Sequence, residues 1–220
     1  MKITKEGVAV VERDSHLGKW VQEWGRLDFD QHALKTYLNY FKDGGVMLNV
    51  GANIGCYAKA FVDKAKKVIC FEPNKEAYEC LVYNLGKYDN VDIHNLAVSM
   101  FPHKYKVKCD NDNIGMAYIE KSDDGEFETT TIDSLSLTEL DFILMDCEGF
   151  ELDVLKGGEK TINALRPIMV IEINTHTLKR VGVDKSAIFD WLTNHKYSYR
   201  NIYMNVNMDG DQFDIICLNA

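Results

Sequence analysis

The stretch from Val46 to Glu72 constrains this chain more than any other. Val46 to Val50 is a short apolar run broken only by Asn49, and it stops at a loop held between Gly51 and Gly55, the pattern of a buried strand entering a tight turn. From Ile54 the apolar residues Ile54, Ala58, Phe61, Val62 and Ala65 fall on one helical face. A second apolar run, Val68 to Phe71, ends on Glu72. An acid about 20 positions beyond such a turn sits at the tip of the neighbouring strand, where its oxygens can accept both hydroxyls of a ribose. Glu72 is therefore expected to anchor a nucleoside.

The alternation of strand and helix continues on both sides. Asp28 opens a helix whose apolar set is Phe29, Ala33, Leu34, Tyr37, Leu38 and Phe41, closed by Gly44 and Gly45. Pro73 and Asn74 open another, with Tyr78, Leu81, Val82 and Leu85 on its apolar face. Strands are expected at Val91–Leu96, Phe142–Met145 and Ile168–Ile171, with helices over Phe150–Lys156 and from Asp184 onward. Residues 101–131 alternate with polar punctuation and read as short antiparallel strands inserted before the fourth strand. The end of the chain, Tyr197–Val206 then Asp209-Gly210 then Phe213–Leu218, reads as a hairpin. The expected fold is α/β, a mostly parallel sheet covered on both faces with a C-terminal antiparallel hairpin.

A chain of 220 residues is one domain by default. Within it, residues 1–44 are expected to form an N-terminal helical segment and 45–220 the cofactor-binding domain. Trp20 and Trp24 stand four apart, either as a core pair or as part of a flap over a substrate. The formal net charge of −9 argues against nucleic-acid or anionic-membrane partners. No run approaches a membrane span or a signal peptide. The six cysteines show no paired short spacing, as expected of reduced thiols in a soluble cytoplasmic protein.

Four strands end in Gly51, Glu72, Asp146 and Glu172, and open parallel sheets bind ligands outside those carboxyl ends. Asn95 and Ala97, at the end of the third strand, lie where an adenine ring could rest. A pyrophosphate cradle wants G-x-G-x-x-G, yet only Gly51 and Gly55 stand here, with Ala52 and Asn53 between them. The loop suits S-adenosylmethionine, whose amino-acid tail and ribose need no phosphate cradle. A nicotinamide-dependent oxidoreductase and a non-catalytic cofactor-binding protein are the alternatives.

V-G-A-N-I-G at 50–55, F-E-P at 71–73, H-N-L-A at 94–97, T-I-D-S-L at 131–135, D-C-E-G-F-E at 146–151 and L-K-G-G at 155–158 together resemble the FkbM-type family. The resemblance implies a Rossmann-like class I S-adenosylmethionine-dependent methyltransferase, acting on hydroxyls of sugars and other small molecules. It implies that Gly51, Ala52, Asn53 and Gly55 hold the methionine part and Glu72 the ribose. Asn49 stands where the family usually has an aspartate facing the cofactor's ammonium, so that contact is expected to be weaker or rearranged. Cys147 replaces a valine and leaves both neighbouring acids.

The expected chemistry is in-line displacement by an acceptor oxygen, with positioning worth about 7 to 11 kcal/mol of the barrier. Asp146 is the first candidate for the base or for cofactor contact, with Glu148 orienting substrate or base; capping of the following helix is their plain structural alternative. Glu172, Asn174 and His176 with Asp146 could instead make an oxygen-rich magnesium site. His176 could also be the base, or a surface histidine.

Overall fold

The computed structural model describes residues 1–125, 127–203 and 208–219. In chain order the elements are β1 (Lys2–Ile3), β2 (Ala9–Val10), α1 (Leu17–Trp24), α2 (Gln31–Tyr40), β3 (Val46–Val50), α3 (Cys56–Phe61), β4 (Lys67–Phe71) and α4 (Lys75–Leu85). They continue as β5 (Val91–His94), β6 (Ala97–Val98), β7 (Lys104–Lys108), β8 (Tyr118–Lys121), β9 (Phe127–Thr130), β10 (Phe142–Met145), α5 (Glu151–Gly157) and α6 (Glu159–Leu165). Last come β11 (Ile168–Asn174), α7 (Thr175–Arg180), α8 (Lys185–Asn194), β12 (Tyr197–Asn201) and β13 (Gln212–Asn219).

Seven strands form the central sheet in the order β12-β13-β11-β10-β3-β4-β5. The five from β11 to β5 run parallel, and β13 pairs antiparallel with both β11 and β12. The apolar runs lack alternation because both faces are covered. Met47, Phe142, Leu144 and Val170 pack with Tyr37, Phe61 and Leu81 on one side. Leu48, Ile143, Met145 and Ile171 pack with Leu155, Ile162, Ile188 and Leu192 on the other. Phe61 and Phe142 are wholly buried, with ring centroids 5.4 Å apart, and each such side chain contributes about 1.5 to 3 kcal/mol.

Several boundaries differ from the sequence reading, each for a local reason. The helix after the glycine loop is only six residues, so Ala65 lies beyond it. On α4 the buried set is Ala77, Cys80, Leu81, Asn84 and Leu85, while Val82 is 40% exposed. The cause is Asn84, a polar residue turned inward. Its side chain donates to the carbonyls of Ala9 and Ile54 and accepts from the Ala9 amide, which rotates the packed face. β5 ends at His94, and Asn95 turns out of it to donate to the carbonyls of Glu72 and Pro73. β11 runs on to Asn174, so Glu172 lies within a strand rather than beyond it. Asn174 then caps α7, accepting from the amides of His176 and Thr177.

The inserted segment is a second sheet, β6-β9-β7-β8, and its β6–β9 pair is parallel where only antiparallel strands were expected. The terminal hairpin is present as β12 and β13; the part of the expected strand at 204–206 lies outside the described residues. Asp14 joins the N-terminal segment to the insert, accepting from the amides of Gly18 and His16 and from that of Ile114 at 3.3 Å. Trp20 and Trp24 stack on α1, but Trp24 is 56% exposed.

Candidate active site

Gly51 turns β3 into the loop with φ +81°, and a Cβ there would lie 1.8 Å from the carbonyl oxygen of Asp146. Only glycine satisfies both the left-handed backbone and this approach. The loop is closed on itself. The amides of Gly51 and Ala52 donate to Phe71, that of Asn53 to Glu72, that of Ile54 to the Asn53 side chain and that of Gly55 to Ala52. No amide from 51 to 55 is left for a phosphate, and a dinucleotide cradle depends on such free amides. Gly55 faces Leu81 and Leu85, 2.9 Å from where its Cβ would be; it admits α4 behind the loop.

Glu72 is 7% exposed, and its two oxygens accept from the amides of Asn53 at 2.8 Å and Asn74 at 2.7 Å. Burial pushes its pKa up to about 7, against the pull of those two amides. A carboxylate has about four acceptor sites. The two amides fix the group and leave the remaining lone pairs for a diol.

Beside this loop opens a cavity of about 590 Å³ whose walls include Gly51, Ala52, Asn53, Glu72 and Ala97. Asp146, Glu148 and Glu172 line it as well. One carboxylate oxygen from each of these three lies within 4.8 Å of the others. Asp146 follows β10 directly, whereas Glu148 is held in the left-handed region at φ +55°. The turn is tied down by Glu151, which accepts from the amides of Cys147 and Gly149 at 2.9 and 3.3 Å. Burial, reinforced by Glu172, drives the Asp146 carboxyl well above its ordinary range and that of Glu148 to about 8. Asp214 on β13 stands in register with Glu172, accepts from the Tyr37 hydroxyl at 2.5 Å, and is raised by burial to about 7.

Four expected site residues lie off the cavity wall; one is Gly55, which packs against Leu81 and Leu85 of α4 instead of facing the cavity. Asn49 is fully buried inside the sheet, its amide 3.4 Å from the Leu144 carbonyl, and is absent from the cavity wall. Asn95 braces the chain behind Glu72 instead of facing the cavity. His176 is exposed on α7, away from the wall, because the longer β11 and its Asn174 cap carry it past the edge. The expected Asp146, Glu172, Asn174 and His176 set is therefore not assembled; Glu148 takes the place of the last two.

Tyr37, Asp30, Asp214 and the insert residues Asn113 to Ile119 also line the cavity, and sequence reasoning missed them as site residues. For Asp214 the available signal was an acid between Phe213 and Ile215 in an apolar strand.

The strand order, with β13 antiparallel beside β11, is that of the class I methyltransferase fold. Residues 49–199 match the Methyltransferase FkbM domain. The chain belongs to that family, and it is a methyltransferase. Among characterised relatives it is similar to the hexuronic acid methyltransferase AglP of Haloferax volcanii, 23% identical over 82% of this chain and 74% of that protein. It is also similar to the 2-O-methyltransferase NoeI of Sinorhizobium fredii, 27% identical over 69% of this chain and 72% of that protein. The crystal structure of an FkbM methyltransferase from Methylobacillus flagellatus shares the fold, with a TM-score of 0.54 and 16% identity over 80% of this chain. The match spans 44% of that structure's chain, less than half its length.

Proposed function

We propose that this chain transfers a methyl group from S-adenosylmethionine to a hydroxyl of a sugar or similar small acceptor. The observation that carries the reading is the juxtaposition, in one cavity, of the phosphate-averse loop and the Glu72 it is bonded to with the carboxylates of Asp146, Glu148 and Glu172. The names of the two relatives supply the acceptor class.

Gly51, Ala52 and Asn53 hold the methionine part, Glu72 holds the ribose, and Ala97, buried on the wall, bears on the adenine. The bound cofactor supplies an electrophilic methyl group. Asp146, Glu148 and Glu172 hold the acceptor hydroxyl and take up its proton, and desolvation of Asp146 and Glu148 raises the proton affinity of those two as a base requires. Such a base adds about 10²- to 10⁴-fold.

The N-terminal segment, through His16, Leu17, Phe29 and Asp30, and the insert, through Asn113 to Ile119, close the acceptor side. We read residues 1–44 as that cover and 45–220 as the methyltransferase domain. No described helix is long and apolar enough to cross a membrane. Six free cysteines support a cytoplasmic setting, and the net charge of −9 disfavours nucleic-acid partners.

Calorimetric titration with S-adenosylhomocysteine, with NADH as comparison, tests the cofactor. Turnover is then assayed on a panel of methyl glycosides. Binding of NADH in place of S-adenosylhomocysteine would overturn the reading; methylation confined to non-sugar acceptors would overturn the acceptor class.

A further inference from the structure

We propose that Asp146, Glu148 and Glu172 hold a divalent cation of the magnesium type, which binds the acceptor's hydroxyl oxygens at the floor of the cavity. The acceptor half of this inference rests on the methyltransferase reading; the cation site does not.

Two observations meet here. The first is convergence: three carboxylates from the ends of neighbouring strands bring an oxygen each to within 4.8 Å of one another. Two oxygens on one cation lie at most twice the bond length apart, about 4.2 Å for magnesium and up to about 5 Å for calcium. Small side-chain rotations therefore suffice for a common centre. The second is that Asp146 Oδ1, Glu148 Oε2 and Glu172 Oε2 are each buried without a hydrogen-bond partner, and Glu148 as a whole is only 7% exposed.

Buried carboxylate oxygens without donors cost several kcal/mol each unless paired or bound to metal. Among the described residues, no ion pair reaches any of the three. The nearby Arg180 guanidinium is stacked over the Tyr118 ring at 4.0 Å. Two other carboxylates at this edge are already served by donors: Glu72 by an amide on each oxygen and Asp214 by Tyr37. Glu151 takes both amides on Oε1 and keeps a buried Oε2 without a partner, but it is not among the carboxylates that converge; within the trio Glu172 takes one bond from Gln212 on its other oxygen.

The donor set is all oxygen and anionic, which selects a hard cation over zinc or copper. Three protein ligands leave open positions toward the cavity, enough for two adjacent hydroxyls of a diol. A hydroxyl so bound gives up its proton more readily, to a carboxylate oxygen that the cation does not occupy.

The test uses the full chain without cofactor, titrated with Mn²⁺ and followed by the electron paramagnetic resonance of the free ion, with Mg²⁺ as competitor. One Mn²⁺ per chain, displaced by Mg²⁺, is expected. Glu148→Gln and Glu172→Gln should each weaken it at least about tenfold, while S-adenosylhomocysteine affinity stays within about threefold, which reports that the variants are folded. S-adenosylhomocysteine binding by the native chain without saturable Mn²⁺ binding would overturn the cation site, as would unchanged Mn²⁺ affinity in both variants. Mn²⁺ binding with these losses but no S-adenosylhomocysteine binding would keep the site and sink the methyltransferase reading.

Discussion

Replacing Glu72 by glutamine separates the two things this residue does. In the native chain the carboxyl is buried and its pKa rises from 4.5 to about 7, mainly through desolvation. An acid with a raised folded-state pKa contributes stability that is complete below the unfolded value and lost as pH rises through the folded one. The gap corresponds to about 3 kcal/mol at about 1.4 kcal/mol per pH unit. Glutamine does not titrate, so it escapes that loss. It does carry an amino group, which must face the amide of Asn53 or of Asn74, now both donors to Glu72. That conflict costs about 1 to 3 kcal/mol at every pH. The unfolding free energy of Glu72→Gln relative to the native chain should therefore move by about 2.5 kcal/mol in the variant's favour between pH 5 and pH 8. Urea denaturation of both proteins across that range measures it. S-adenosylhomocysteine affinity at pH 8 should fall at least about tenfold, since a hydrogen bond to a charged group is worth about 1.5 to 3 kcal/mol. A constant stability difference across the range would refute the buried-charge argument, and unchanged affinity would refute the ribose contact.

Gly51→Ala should lower the unfolding midpoint by roughly 5 °C or more and abolish measurable S-adenosylhomocysteine binding. The new Cβ meets the Asp146 carbonyl at 1.8 Å in a left-handed backbone; a native midpoint by calorimetry would contradict this packing. Tyr37→Phe removes the donor to Asp214, a carboxylate that stands opposite Glu172, and should cost about 1 to 3 kcal/mol in urea denaturation. His176→Ala should leave turnover within about twofold, as exposed substitutions rarely matter, because the residue lies on α7 outside the cavity. A large loss of kcat there would restore it as a base.

The central unit was legible because its signals are local. Val46–Val50, the glycine turn and Glu72 lie within one strand-turn-helix-strand segment, and the sheet edge at which such segments bind ligands follows from topology alone. Asp146 and Glu148 were legible for the same reason, as residues directly beyond a buried strand. The errors fall where a side chain's role depends on a partner far along the chain. Val82 was expected inside α4, and it is outside because Asn84 bonds to Ala9, 75 residues away. His176 looked like part of the edge because β11 was expected to end near Ile171; it runs to Asn174, in register with Gln212 of the last strand, and three more strand residues carry the histidine away. Asn174 has the right oxygen for a metal, but the next helix uses that oxygen for its own first amides. Asp214 went unseen because nothing near it in sequence says that Tyr37 would reach it from 177 positions upstream. The acid trio was half seen for this reason too. Two of its members share a turn that a motif can report, but only the β10–β11 pairing, with Met145 beside Ile171, brings Glu172 to them. A turn records where a carboxylate points; the sheet decides how many meet.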